Sequence, residues 1–265
     1  MPFLKDDSHT ADKLKYFDLP HSRQADYLTN ESGFPLYDNT ASEYLSSGER
    51  FLERLLQELE NAQKYIYIEF FIIAEGLMWQ SIYEILKKKA QSGVEVKIIF
   101  DDFGSIKRQH KNFLADVRSH GIEISVFNPI YPLFNTFMNN RNHRKIVVID
   151  GVIAMTGGIN IGDEYINKLV RFGHWMDSAV VIKGNAVKSF LCMFCNMWEF
   201  ITGKGIDIKS HISETDIVDD GFALPYCDGP LNDRNPAEGI YMQILNSAQK
   251  YVYIMTPYLV IDDMM

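Results

Sequence analysis

An alternation of short apolar runs with amphipathic stretches is the feature that most constrains the fold of this chain. KYIYIEFFII at 64–73 and VEVKIIFDD at 94–102 have the length of strands, and a helical segment that stops at Gly93 separates them. A further helix near 109–119 leads into a third run, IEISVFN at 122–128. Continuous apolar runs are typical of strands covered on both faces. Strands that alternate with helices predict an α/β fold, with a mostly parallel sheet between two layers of helices.

One internal repeat bears on domain organisation. NAQKYIYI at 61–68 returns as SAQKYVYI at 247–254, and each copy joins a helical stretch to an apolar run. Coincidence between two similar helix–strand junctions is one explanation, and duplication of a domain is the other. We favour duplication, in which the second copy begins near residue 216 and continues into a strand, YVYIMTPYLVI, at 251–261.

Charge and composition narrow the class of function. The chain has 35 acidic and 26 basic residues, a formal net charge of -9, which argues against a general nucleic-acid binder. Its three cysteines fit a reducing compartment, and Cys192 and Cys195 lie in an apolar helical run that favours core packing over metal binding. A charged amino terminus and the lack of a long apolar window predict no signal peptide and no membrane span. The sequence therefore predicts a chain that is soluble or, at most, peripheral to a membrane.

The stretch NHRKIVVIDGVIAMTGGIN at 142–160 carries the candidate chemistry. On a β-strand, residues two apart point to the same face, so His143 and Lys145 should project together and Arg144 should point the other way. An imidazole can act as a nucleophile, and an ammonium group beside it can neutralise a bound anion. A strand-end histidine beside a surface lysine is the alternative interpretation of this pair alone.

Residues downstream of the pair complete a predicted phosphate site. Gly157 and Gly158 allow the backbone to approach a ligand closely, and Asn160 offers an amide donor. No metal-ligand motif and no phosphate-binding glycine loop accompanies them in the sequence. The whole set favours metal-free phosphoryl transfer through a phosphohistidine, without a cofactor.

The motif residues resemble the signature of the phospholipase D superfamily: His143-x-Lys145, Asp150 after four intervening residues, and Gly157-Gly158-x-Asn160. Flanking stretches narrow the resemblance to bacterial cardiolipin synthases over about 33–263, namely GFPLYDNT, EYLSSGERF, DDFGS, FNP, NRNHRKIVVIDG, GGINIGDEY and GHWMD. The resemblance implies a phospholipase D-like α/β/α sandwich with a mixed, mostly parallel sheet. It divides the chain into a polar leader at 1–30, a first catalytic domain at 31–215, and the truncated start of a duplicated second domain at 216–265.

The resemblance also implies a role for each residue of the phosphate site. His143 would attack phosphorus, while Lys145 and Asn160 would hold the non-bridging oxygens. Gly157 and Gly158 would shape the floor under the phosphate.

Asp150 belongs to the catalytic motif of the family, yet we expect it to fix the strand and the turn rather than to touch substrate. Asp177 is the candidate carboxylate for orienting the ring of His143, and a plain surface aspartate is the equal alternative. Two positions depart from the family: Met176 replaces an arginine, and Asn185 replaces a proline at what is expected to be a helix start.

The function implied by the resemblance is phosphatidyl transfer, in which two phosphatidylglycerol molecules give cardiolipin and glycerol. The implied partners are the anionic phospholipid and a membrane surface, at the cytoplasmic face of a bacterial cell membrane, and not nucleic acid. A second motif would supply the acid histidine, in cis or from another chain, so the 265-residue chain alone is expected to be inactive. The alternatives are a single-motif phosphodiesterase or nuclease that acts as a homodimer, and a non-catalytic partial product.

Two stretches near the motif each allow two interpretations, one of which is contact with lipid. SIKRQHK at 105–111 could contact anionic head groups or form an ordinary solvated helix start. NPIYPLFNTFMNN at 128–140 could hold acyl chains or pack on its own domain.

Overall fold

The computed structural model describes residues 8–17, 19–130, 140–171, 173–218, 221–228, 235–256 and 258. The chain divides into two compact units: Asp38–Gly221 form one, and Met1–Tyr37 with Phe222–Met265 form the other. The division at 1–30, 31–215 and 216–265 inferred from the sequence stays a prediction.

The larger unit is built on a seven-stranded mixed sheet. Its strands are β1 (Thr40–Leu45), β2 (Tyr65–Phe70), β3 (Glu95–Asp101), β4 (Glu123–Phe127), β5 (Ile146–Ile149), β6 (Ile153–Gly157) and β7 (Ala179–Gly184). They lie in the order β1-β7-β6-β5-β2-β3-β4. The β2–β3 and β3–β4 pairs are parallel, and the other four pairs are antiparallel.

The predicted mixed sheet is confirmed, but the prediction that most of its pairs are parallel is wrong. Helices connect β2, β3 and β4, and a crossover of that kind permits parallel pairing. The turn at 150–152 instead connects β5 directly to β6. A tight turn reverses the chain, and a hairpin with antiparallel pairing follows from it.

Helices cover both faces of this sheet. In the described chain, α1 (Ser8–Phe17), α2 (Leu19–Ser32) and α9 (Pro236–Ser247) belong to the smaller unit. The larger unit contains α3 (Gly48–Asn61), α4 (Leu77–Gln91), α5 (Asp102–Ser105), α6 (Phe113–Ser119), α7 (Val187–Thr202) and α8 (Ile208–His211). Ile66 and Ile68 of β2 belong to the core shared with α3, α4 and α6. Tyr67, which points to the opposite face, stacks on Phe194 of α7 with ring centroids 4.7 Å apart. The α/β/α layering follows from this alternation along a strand buried on both faces.

The two cysteines of the C-x-x-C sequence lie on the buried face of α7. Cys192 and Cys195 are both buried free thiols, and burial raises the pKa of each, to about 11 and about 12 respectively. They therefore pack as small apolar side chains in the core, as the apolar run predicted. Within the described residues, every helix is too short or too polar to cross a bilayer.

The smaller unit contains α1, α2 and α9. An isolated bridge pairs Tyr37 with Ala223. The prediction of a strand at 251–261 is wrong for residues 251–256, which have no strand structure and leave Tyr253 and Met255 86% and 93% exposed. A strand needs a neighbour to satisfy its backbone hydrogen bonds, and the described part of this unit places none beside the segment. The remainder of the predicted strand lies outside the described residues, apart from Tyr258.

Candidate active site

His143 and Lys145 lie just before β5 and not within the strand. Backbone pairing of β5 with β2 ends at Ile146 opposite Glu69. Side-chain hydrogen bonds hold the preceding residues instead, as described below. The predicted facing of the two side chains is nevertheless observed, since Lys145 Nζ contacts the His143 ring.

The side chains of the pair are in direct contact. Lys145 Nζ lies 3.1 Å from His143 Nδ1 and donates to the carbonyl oxygen of His143 at 2.6 Å. Lys145 is only 5% exposed, whereas His143 is exposed to solvent. The ring of Phe71 packs against both residues, 4.8 Å from the imidazole centroid and 5.6 Å from Nζ. Phe71 thus covers part of the contact, while the imidazole remains open to solvent.

This packing changes the proton affinity of both groups. The pKa of His143 is lowered to about 4. Loss of hydration is the larger cause, and the positive charge of Lys145 is the smaller one. Burial lowers the pKa of Lys145 to about 8, and the negative charge of Asp177 opposes that effect. Near neutral pH the imidazole is therefore uncharged and keeps a lone pair for attack, while most of the lysine remains cationic.

Arg144 projects away from this pair into the protein. Its Nε lies 2.7 Å from Oε1 of Glu69, and Asn142 Nδ2 donates to the same oxygen at 2.7 Å. Glu69 lies on β2 with 0% exposure, and burial raises its pKa although Arg144 opposes the shift. Its second oxygen, Oε2, is buried and has no hydrogen-bond partner among the residues that the structure describes.

A second buried carboxylate holds the residues just before the motif. Asp101, the last residue of β3, accepts the backbone N–H of Asn142 at 2.9 Å, and Arg141 Nη1 lies 3.4 Å from its Oδ1. Buried charges of this kind are strongly destabilising when one partner is lost. Glu69 and Asp101 thus fix the backbone on both sides of His143.

Neither carboxylate was given a role from the sequence, although Asp101 opens the DDFGS stretch that carries part of the resemblance. Glu69 did leave a signal, because it is the one charged residue inside the apolar run at 65–73. A lone carboxylate in a strand buried on both faces requires a buried partner. The identity of that partner, 75 positions away at Arg144, depends on which strands are neighbours.

The glycine pair lies where another segment of chain approaches closely. Gly158 donates its N–H to Ser178 O at 3.1 Å. A Cβ on Gly157 would overlap the backbone of Ser178, and a Cβ on Gly158 would overlap the carboxylate of Asp177. The glycines therefore admit the segment that carries Asp177, and their contact with a phosphate stays a prediction.

Asp177 lies close enough to Lys145 for its charge to raise the pKa of the ammonium group. Its Oδ1 accepts the N–H of Ser178 at 2.8 Å, and its Oδ2 lies 3.4 Å from Trp175 Nε1. That it orients the His143 ring stays a prediction. Met176 beside it is 79% exposed, so the side chain at the position of the family's arginine projects into solvent.

Asn160 joins the segment after β6 to the end of β2. It is 4% exposed, its Oδ1 accepts the N–H of Ile72 at 3.0 Å, and its Nδ2 donates to Tyr165 Oη at 2.9 Å. A primary amide has two N–H donors. A phosphate contact through the other donor stays a prediction.

Asp150 lies at the opposite end of β5 from the histidine. Its carboxylate accepts the backbone N–H groups of Gln63 and Lys64, each at 2.7 Å, and that of Tyr65 at 2.9 Å. It lies five positions along the chain from Lys145, with β5 between them, a span of about 16 Å. The structure does not bring Asp150 to the imidazole, and its observed contacts fix the start of β2 and the turn after β5.

The basic stretch at 105–111 is partly neutralised within the unit. Arg108 Nη1 lies 2.5 Å from Glu164 Oε1, and the N–H of His110 donates to Glu75 Oε2 at 2.5 Å. Lys107 remains exposed. Of the apolar stretch at 128–140, residues 131–139 lie outside the described residues.

Comparison with known proteins identifies the family. A family model described as a cardiolipin synthase, phospholipase D-like domain matches residues 55–198, just over half of the chain. The chain belongs to this family. Residues 55–198 include the whole motif segment and the two buried carboxylates behind it.

Individual relatives agree with this assignment. An uncharacterized protein from Streptococcus mutans is 41% identical over 266 residues, which cover 100% of this chain and 58% of the relative. A cardiolipin synthase from Halalkalibacterium halodurans is 34% identical over 232 residues, 86% of this chain and 46% of the relative. The chain thus spans about half the length of the curated relatives that it matches.

One solved structure supports the fold. Phosphatidylserine synthase from Haemophilus influenzae aligns with a TM-score of 0.57 at 15% identity, covering 86% of this chain and 58% of that chain. At that identity the likeness concerns the fold alone.

Proposed function

We propose that this chain provides the first catalytic motif of a cardiolipin synthase, in which His143 accepts a phosphatidyl group from phosphatidylglycerol. The contact between an exposed, neutral imidazole and a nearly buried ammonium group carries the proposal. The imidazole supplies the lone pair, and the cation can stabilise the negative charge that develops on the phosphate oxygens.

In the first step, Nε2 of His143 attacks phosphorus as the bond from phosphorus to the glycerol oxygen breaks. The leaving oxygen takes a proton from an acid, and the phosphatidyl group remains on nitrogen. For Nε2 to attack, Nδ1 must carry the ring proton. Lys145 must therefore turn from Nδ1 to the phosphate oxygens when substrate binds, and Asp177 becomes the acceptor for Nδ1–H.

In the second step, a hydroxyl of another phosphatidylglycerol attacks phosphorus and the nitrogen–phosphorus bond breaks. That hydroxyl gives its proton to a base, and cardiolipin is released. An alkoxide leaves badly without protonation, and we assign the acid–base role to a histidine of a second motif, in cis or from another chain. A protein limited to these 265 residues should accordingly lack transferase activity.

Both substrates are membrane lipids, so the proposed site of action is the cytoplasmic face of the cell membrane, with this part of the protein bound peripherally. The family match and the name of the Halalkalibacterium halodurans relative support the lipid substrate. No metal takes part in the proposed chemistry.

The test is chemical trapping of the intermediate. The protein, supplied with its second motif, is mixed with phosphatidylglycerol labelled at phosphorus and quenched in alkali, where phosphohistidine survives. We expect label on His143, and we expect His143→Ala to lose cardiolipin formation by far more than the ~10² to 10⁴ typical of acid–base catalysis.

His21→Ala is the matched control, because His21 is an exposed histidine on α2. In the His21→Ala variant, the label on His143 and the turnover should equal those of the unchanged protein. Near-normal cardiolipin formation in His143→Ala would refute the proposal. Cleavage of a nucleic acid in place of lipid transfer would favour the homodimeric phosphodiesterase.

A further inference from the structure

An open groove of about 830 Å³ lies beside the histidine in the larger unit. The end of β2, the region of α5 and the segment around 163–171 form its walls. Its volume falls within the ~300–1,000 Å³ range that is typical of small-molecule sites. None of the residues assigned above to phosphate chemistry lines it.

Apolar side chains line the groove and are left in contact with solvent. Phe103, Ile106 and Leu169 line it and are 61%, 48% and 53% exposed. Single exposed apolar residues are ordinary, but several that converge on one concave surface mark a binding site.

One side chain, that of Phe71, connects the groove with the reacting imidazole of His143. Phe71 lines the groove, and its ring also packs against the imidazole of His143. Gly104 allows α5 to pack against the backbone at Phe71, because a Cβ there would overlap the carbonyl of Phe71. A ligand whose phosphate lies at His143 would therefore have its neighbouring atoms at the mouth of the groove.

Several polar groups along the groove are already engaged. The backbone N–H groups of Ile72, Ala74 and Glu75 donate to Asn160 Oδ1, Ile161 O and Arg108 O. Asp163 accepts two N–H groups at the start of α4, and Glu164 pairs with Arg108. A peptide would need unengaged backbone partners, and these three N–H groups are not available to one, whereas a hydrocarbon chain needs none. Exposed Lys107 at the rim suits a negatively charged head group.

We propose that this groove holds an acyl chain of the phospholipid whose phosphate is attacked by His143. The inference rests on the proposed function and extends it, because it assigns the part of the lipid that is remote from the reaction. Hydrocarbon buried against the groove contributes binding energy in proportion to the area removed from water. The phosphate then reaches the imidazole as part of a molecule that is already anchored.

The test is photolabelling of the full chain with phosphatidylglycerol that carries a diazirine in the middle of one acyl chain, presented in vesicles. We expect the label on Phe103, Ile106 and Leu169, located by peptide mass spectrometry. The double variant Ile106→Asn, Leu169→Asn should reduce labelling in the groove about tenfold, since each substitution replaces an apolar contact with a polar side chain. Phe200→Asn, at an exposed aromatic residue of α7, is the matched control and should have no effect.

Two outcomes would overturn the acyl-chain assignment: label concentrated outside the groove, or label in the groove that the double variant leaves unchanged. The phosphohistidine experiment is independent of both. Label on His143 without acyl label in the groove rejects the groove and keeps the function. Acyl label in the groove that persists in His143→Ala, without transfer by the protein supplied with its second motif, keeps the groove and rejects the function.

Discussion

Replacing Lys145 with methionine should raise the pKa of His143, and the structure sets the size of the change. Methionine keeps much of the length and the apolar stem of lysine but removes the charge 3.1 Å from Nδ1. The ring would still pack against Phe71. The variant therefore separates the effect of charge from the effect of lost hydration.

The pKa of His143 falls from 6.5 to about 4, and lost hydration is the larger cause. Lys145 must then account for less than half of the decrease. Two like charges at this distance in water repel by about 1.3 kcal/mol, which corresponds to about one pKa unit. We therefore expect Lys145→Met to move the pKa of His143 to about 5 and not back to the ordinary value.

The assay is a pH titration followed by NMR, using protein with isotope-labelled histidine and His143→Gln to assign the resonance. Circular dichroism at each pH verifies that the chain remains folded. Lys204→Met, at an exposed lysine after α7, is the control and should leave the titration unchanged. A pKa near 6.5 in the unchanged protein, or one that stays near 4 in Lys145→Met, would refute the reasoning.

Four further predictions follow from the site. Asp150→Ala should lower the free energy of unfolding, measured in urea, by about 2–4 kcal/mol, because three backbone N–H groups lose their acceptor. Asp150→Asn should lower it by less, and equal decreases in the two variants would contradict this account. Gly158→Ala should displace Asp177 and reduce turnover about 10²-fold, whereas Gly205→Ala, where the nearest atom is 3.7 Å from the new Cβ, should be neutral. The kcat/KM for phosphatidylglycerol should rise as the pH increases through about 4, because the nucleophilic imidazole loses its proton. It should fall above pH about 8, because Lys145 loses its charge, and a flat pH profile would contradict this prediction. Excess chelator should leave turnover unchanged, and loss that magnesium or manganese restores would point to a metal-dependent mechanism.

The sequence by itself predicted the features that depend on local periodicity. Side chains two residues apart on extended chain share a face, so the common face of His143 and Lys145 and the opposite direction of Arg144 could be derived from spacing alone. Apolar runs likewise identified the central strands, and the apolar face of α7 accounted for its cysteines. The turn role expected for Asp150 agrees with its three backbone hydrogen bonds.

The tertiary structure decided what depends on which segments become neighbours. Because β5 lies antiparallel to β2, with Ile146 opposite Glu69, the buried carboxylate of β2 meets Arg144. The same neighbourhood places Phe71 over His143, and lost hydration there, more than the charge of Lys145, makes the imidazole a weak base. Spacing along the chain determines the face on which a side chain lies. Burial and hydrogen-bond partners arise between residues far apart in sequence, so they exist only once the sheet has assembled.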